Sequence, residues 1–193
     1  MRYLFTLLFT LTLLQTMAQS PEITFSTKKG TDREKEVIPK VQEILNKYDL
    51  TKWVFTDKII IEAFAIPHSH PVLTLNTKPQ SQDELLSTFL HEQIHWYVDE
   101  NKSSEQKAIA EFKKKYKNVP FGNREGAKDE YSTYLHLIVC YLEFKSMVDL
   151  VGEERAEKVM RDTNHYTWIY ETVLKDRKSI GKTLAKNKLN LVD

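Results

Sequence analysis

The sequence predicts an α+β fold, a small antiparallel sheet followed by a predominantly helical region. Two β-rich runs, residues 53–66 and 72–77, flank the proline-bounded bend Pro67-His68-Ser69-His70-Pro71, and from Ser81 onward the spacing of apolar residues is helical. With 193 residues, 41% apolar and 28% charged, the chain can fill one hydrophobic core and is too apolar to stay disordered.

At the N-terminus, Arg2 is followed by the uncharged run Tyr3 to Leu14 and the small-residue site Thr16-Met17-Ala18, the pattern of a cleaved signal peptide spanning residues 1–18. The run is rich in Thr and short for a bilayer span. Residues 19–193 are therefore expected to be a single exported domain, secreted or periplasmic, with no stable membrane insertion once the signal is removed. Loss of residues 1–18 takes away Arg2 and no acid, so the 28 basic residues fall to the number of acidic ones, 27. That balance argues against nucleic acid as a partner, because such binding leans on a basic footprint. Lys113-Lys114-Lys115 reads as a solvated helix face. The single cysteine, Cys140, lies in an apolar segment; it excludes an intramolecular disulfide and reads as a buried thiol.

Ile23 to Thr27 has the composition of a short strand. Residues 32–48 then carry Val37, Ile38, Val41, Ile44, Leu45 and Tyr48 on one helical face, with Pro39 kinking or restarting the helix. The two β-rich runs, Trp53 to Ile66 and Val72 to Thr77, are expected to pair antiparallel across the bend. Ser81 followed by Glu84 has the spacing of a capping box, which opens a helix over 82–100. Further helices are predicted over 104–117, 127–151, 153–161 and 164–178.

Chemistry is concentrated in the first of these long helices, which reads His91-Glu92-Gln93-Ile94-His95. Imidazoles at i and i+4 project to one side of a helix and can reach a single ion. Neutral imidazole suits Zn2+, and a catalytic zinc site takes three protein ligands and keeps one position open for water. Glu92 beside the first histidine is then placed to act as general base and to return the proton to the leaving group.

A strand (Val72 to Thr77) followed by a helix bearing His91, Glu92 and His95 resembles the zincin metallopeptidases over about residues 53–100. The resemblance implies zinc held by His91 and His95, with Glu92 as base. It is not to the metzincin branch, since Trp96-Tyr97-Val98-Asp99 continues the helix where that branch has Gly and a third His. A minimal gluzincin-like arrangement is nearer, and that group takes a Glu from a downstream helix as third ligand.

For the third ligand, the apolar segment 129–143 offers His136 and Glu143 on one face with Cys140. Burying such groups is costly unless they are paired or bind a metal. His136 as ligand with Glu143 supporting a ligand imidazole is the first choice, and the reverse assignment stays open. Glu130 and Glu125 are the gluzincin-like alternatives, and both also suit a helix N-terminus on charge grounds alone. His165 and Tyr166, at a predicted helix start, are candidate donors to a developing oxyanion. His68 and His70 flank the turn before the expected edge strand, where a peptide could pair by strand addition.

The functional expectation is a secreted or periplasmic zinc-dependent hydrolase acting on a peptide or protein substrate, a metallopeptidase. The alternatives are a zincin-like binding module without turnover and an exported structural domain without metal. Residue types fix neither the substrate's sequence nor the oligomeric state.

Overall fold

The computed structural model describes residues 22–191, and the signal-peptide expectation for residues 1–18 lies outside them. Strand β1 (Thr24–Thr27) leads into helices α1 (Asp32–Lys35) and α2 (Ile38–Lys47), then β2 (Lys58–Ile61) and β3 (Leu73–Leu75). Five helices complete the chain: α3 (Gln82–Glu100), α4 (Lys102–Lys115), α5 (Glu130–Val151), α6 (Glu153–Asp162) and α7 (Thr167–Lys186). The mixture of a small sheet and a dominant helical region is as expected.

The sheet is parallel, not antiparallel. Its order is β1-β2-β3, with Phe25 opposite Ile59 and Ile60 opposite Thr74, all strands running the same way. The physical reason lies in the segment joining β2 to β3. A turn closes with Ala65 N–H donating to Glu62 C=O, and the chain then runs back as an antiparallel neighbour of β3: His68 and Thr74 exchange N–H···O bonds of 3.1 and 2.8 Å. The reversal that the prolines demand is spent on residues 66–68, so β3 re-enters parallel to β2. Between β1 and β2 the crossover is made by α1 and α2, as parallel pairing requires.

Glu34 pins that crossover. Its carboxylate accepts the Lys29 and Thr31 amides at one oxygen and the Ala63 amide at the other, while Thr31 and Glu34 form a reciprocal capping box. One buried side chain thus ties the start of α1 to the turn after β2. That turn carries Phe64 in the left-handed region (φ 65°), where an aromatic residue costs about 1–3 kcal/mol relative to relaxed backbone.

Helix α3 begins at Ser81 with the expected capping box, worth about 1 kcal/mol. Gln93, fully buried, accepts the Phe55 and Thr56 amides and donates to the Thr56 carbonyl, which fixes α3 to the entry of β2. The other side of α3 packs on α5. Residues 137–140 of α5 are all buried, so the middle of this helix is enclosed, with α3, α4, α6 and α7 packed around it. Before α5 the chain passes so close to itself that a Cβ on Gly126 would stand 1.9 Å from the Pro120 carbonyl oxygen, so only glycine fits. Helix α7 is longer than the 164–178 predicted, running on to Lys186 through a break in helical geometry at Asp176. Among the described residues no helix is long and apolar enough to cross a membrane.

The three amide bonds hold the Glu34 carboxyl below its ordinary range, the Ala63 bond contributing most. A depressed carboxyl stabilises the fold above its unfolded pKa, and that contribution is lost as pH falls through the folded value. The Glu34→Gln variant should therefore melt below the wild type at pH 7, with the gap closing on acidification through the carboxylate range; thermal melts across pH check this.

Candidate metal centre

Two helices supply the site by simple periodicity. On α3, Ser87, His91 and His95 recur every four residues along one face; on α5, His136, Cys140 and Glu143 do the same at four and three. Packing α3 on α5 turns these stripes toward each other. His91 Nε2 and His95 Nε2 stand 3.3 Å apart, and the His136 ring lies 5.5 and 5.1 Å from theirs, centroid to centroid. One nitrogen of each of the three histidines falls within 4.8 Å of the other two.

This geometry fits a tetrahedral ion. Nitrogens about 2.0–2.1 Å from a common tetrahedral centre are about 3.3–3.4 Å apart, matching the separation of His91 and His95. The outer hydrogen bonds orient the rings for the same purpose. His91 Nδ1 meets Glu143 Oε2 at 2.8 Å, and His136 Nδ1 meets the Ser132 carbonyl at 2.7 Å, so each ring turns its Nε2 inward.

Protonation follows from burial and from neighbouring charge. Burial, reinforced by charge at His91, pushes His136 down to about 3, and the same causes hold His95 well below the usual histidine value. Both are neutral at pH 7, the form that ligates. His91 differs: burial opposes its charging, but bonds to Cys140 and Glu143 outweigh this and hold its pKa well above the ordinary value. His91 would have to give up that proton to serve as a ligand, so metal binding there would be linked to proton release.

Glu143 is 1% exposed and takes donors from two other helices: Ser87 Oγ and His91 Nδ1 from α3, and Tyr170 Oη at 3.1 Å from α7. His91, Cys140 and Glu143 also form a close group of ligand-type atoms. It is poorly suited to an ion, because burial raises the Cys140 thiol pKa and Glu143 is already saturated with donors. The group reads as the support that holds His91.

The site borders a cleft of about 410 Å³ lined by His91, Glu143 and Tyr170 together with Glu92, His165 and Tyr166. Glu92 is 6% exposed and, among the described residues, no group hydrogen-bonds to its carboxylate. Burial raises its pKa to about 7 despite the opposing charges of His91 and His68. Tyr166 precedes α7 in the left-handed region (φ 54°), which lays its ring 4.4 Å from that of His136. His165 sits beside it at 5.0 Å. Another cleft, of about 380 Å³ between β1 and α2, is lined by residues such as Phe25, Gln42 and Leu45 and has no histidine, cysteine or acid on its walls.

The structure brings together His91, His95, His136, Glu92, Glu143, His165 and Tyr166 from the sequence-derived set. It leaves Glu125 and Glu130 exposed at the approach to and start of α5, outside the cluster. Glu125 contributes there through its backbone, its carbonyl accepting the Trp168 amide. His70 stacks on Trp96 at 4.1 Å and is not among the grouped ligand atoms. His68 itself occupies the edge position on β3 where a peptide was expected to add. Sequence reasoning did not assign a role to Ser87, one turn before His91 on the same face of α3, or to Tyr170, in the first turn of α7.

No family model matches the chain, and no curated protein or solved structure matches it. Functional assignment therefore rests on the site's own chemistry.

If Glu143 orients His91, the Glu143→Gln variant should bind zinc about 10–100-fold more weakly while keeping the fold. Competition with a chromophoric chelator measures this, and a circular dichroism melt confirms folding.

Proposed function

We propose that this chain is a zinc-dependent hydrolase of peptide bonds, a metallopeptidase that works outside the cytoplasm. The observation that carries the reading is the convergence of His91, His95 and His136, with Glu92, a buried acid without a hydrogen-bond partner, lining a cleft together with His91. His91, His95 and His136 would hold the ion. When bound, zinc supplies Lewis-acid polarisation of a carbonyl and acidifies water, at a borderline-soft centre that suits three neutral imidazoles.

The remaining chemistry belongs to side chains. Glu92, with a pKa of about 7, is poised near neutral pH to take a proton from the attacking water at a carboxylate oxygen and pass it to the leaving amine. Tyr166 and His165 are among the polar groups on the α7 side of the cleft and would donate to the oxygen that gains charge as the carbonyl is attacked. Burial and the charge at His91 keep His95 and His136 neutral.

An edge strand, β3, followed by a helix bearing His91, Glu92 and His95 supports a zincin-like reading. The ligand set departs from the gluzincin pattern, because a histidine of α5 stands where that group uses glutamate. Export to the periplasm or cell exterior is part of the proposal and rests on the pattern of residues 1–18.

The test is Glu92→Gln against wild type, both loaded with zinc and assayed on fluorescein-labelled casein. The variant should keep its zinc and lose activity by about 10²–10⁴-fold. Undiminished turnover in the variant would sink the assignment of the base. Zinc binding without turnover in either protein would favour a binding module.

A further inference from the structure

Two large apolar side chains stand out on this surface: Phe64 is 83% exposed and Ile66 is 84% exposed. They are two residues apart in the segment joining β2 to β3, and Ala65, Ile66 and Pro67 line the cleft that opens on His91 and Glu92. We infer that Phe64 and Ile66 form an apolar lip that grips a bulky apolar side chain of a polypeptide substrate, next to the bond to be cut. This rests on the reading of the cleft as a peptide-hydrolase site.

Three observations favour it. First, the lip is held rigidly. The Ala63 amide donates to Glu34, the Ala65 amide closes the turn onto Glu62, the Ala65 carbonyl accepts Asn76, and the Ile66 carbonyl lies 2.8 Å from His68 Nδ1. The backbone that carries these side chains has little freedom left to lose on binding, which lowers the cost of ordering this loop around a substrate. Second, Phe64 occupies a left-handed turn position where glycine would be unstrained, and its ring is directed outward, touched by the Arg33 guanidinium 4.7 Å from its centroid. An aromatic residue placed there at a conformational cost, and then left uncovered, has no role in the core. Third, main-chain recognition is closed off at this edge. The outward N–H and C=O of Thr74 are taken by His68, and the segment that covers them carries Pro67, which has no N–H to offer. A substrate entering the cleft along this wall meets the Ile66 side chain on the wall itself, with the exposed Phe64 ring two residues before it at the outer rim.

The experiment uses the full chain in the Glu92→Gln background, so that probes are bound and not cut. The probes are two fluorescein-labelled decapeptides of Gly, Ala and Ser, identical except for a central Phe or a central Ser, read by fluorescence anisotropy. The Phe peptide should bind at least tenfold more tightly than the Ser peptide, and Phe64→Ser/Ile66→Ser should reduce that preference to less than threefold with zinc content unchanged. Phe64→Gly separates recognition from folding: it should raise the melting temperature by relieving the left-handed strain, and still weaken binding of the Phe peptide. An unchanged preference in the double variant would overturn the proposal. So would loss of binding to phosphatidylcholine–phosphatidylglycerol vesicles in the double variant with no peptide preference in the parent, which would make the lip a membrane contact. Failure of casein turnover beside an intact peptide preference would overturn the hydrolase reading and leave the lip standing.

Discussion

A carboxylate can be buried to 1% exposure only where its lone pairs are met, and Glu143 meets that demand with donors from Ser87 and His91 on α3 and Tyr170 on α7. Because these groups sit on three different helices, the requirement fixes α3, α5 and α7 against one another at one level. The apolar contacts around it, Phe89, Leu90 and Ile94 from α3 and Leu137 and Ile138 from α5, supply the bulk of the burial but are less particular about register. Sliding α3 by one turn would bring Ser87 or His95 to the place of His91 opposite Glu143 and break the grouping of His91 and His95 with His136. The same contact that sets the register also assigns the outer proton of His91 and turns its Nε2 toward His95. Structure and site therefore depend on one interaction.

The rest of the fold serves to hold α3 at its two flanks. Gln93, inside the motif, takes the Phe55 and Thr56 amides, so the residue between the ligands anchors the helix to the sheet while His91 and His95 face the other way. Glu34 performs a comparable task one layer out, joining α1 to the turn that carries Phe64. On the far side, the Arg124 and Glu125 carbonyls accept the Thr167 and Trp168 amides, satisfying free donors at the start of α7 just after Tyr166. The tight approach of Gly126 to Pro120 sets where that loop lies, and hence how far Tyr166 reaches over His136.

Much of this was legible in the sequence where a single local rule decided the outcome. The Ser81 to Glu84 capping box placed the start of α3 correctly, and the i, i+4 histidines shared one face as helical geometry demands. His136 and Glu143 were found because ionisable residues in an otherwise apolar helix must be paired. Strand direction was not legible: it depended on how residues 62–72 spend their reversal, a tertiary matter that no period-2 pattern encodes. Nor were Ser87 and Tyr170, since serine and tyrosine carry no burial signal of their own, and only the packed position of Glu143 gives them a task. Glu125 and Glu130, the alternatives for third ligand that also suited a helix start by charge, are exposed before and at the start of α5, and Glu125 takes part through its backbone carbonyl.

Metal content by mass spectrometry, on the chain purified without added metal and then incubated with zinc, bears most directly on the centre, with His136→Ala measured alongside. The account predicts about one zinc per wild-type chain and loss of that zinc from the variant under the same wash. No bound zinc in the wild type, or an undiminished zinc content in His136→Ala, would contradict a centre built from His91, His95 and His136.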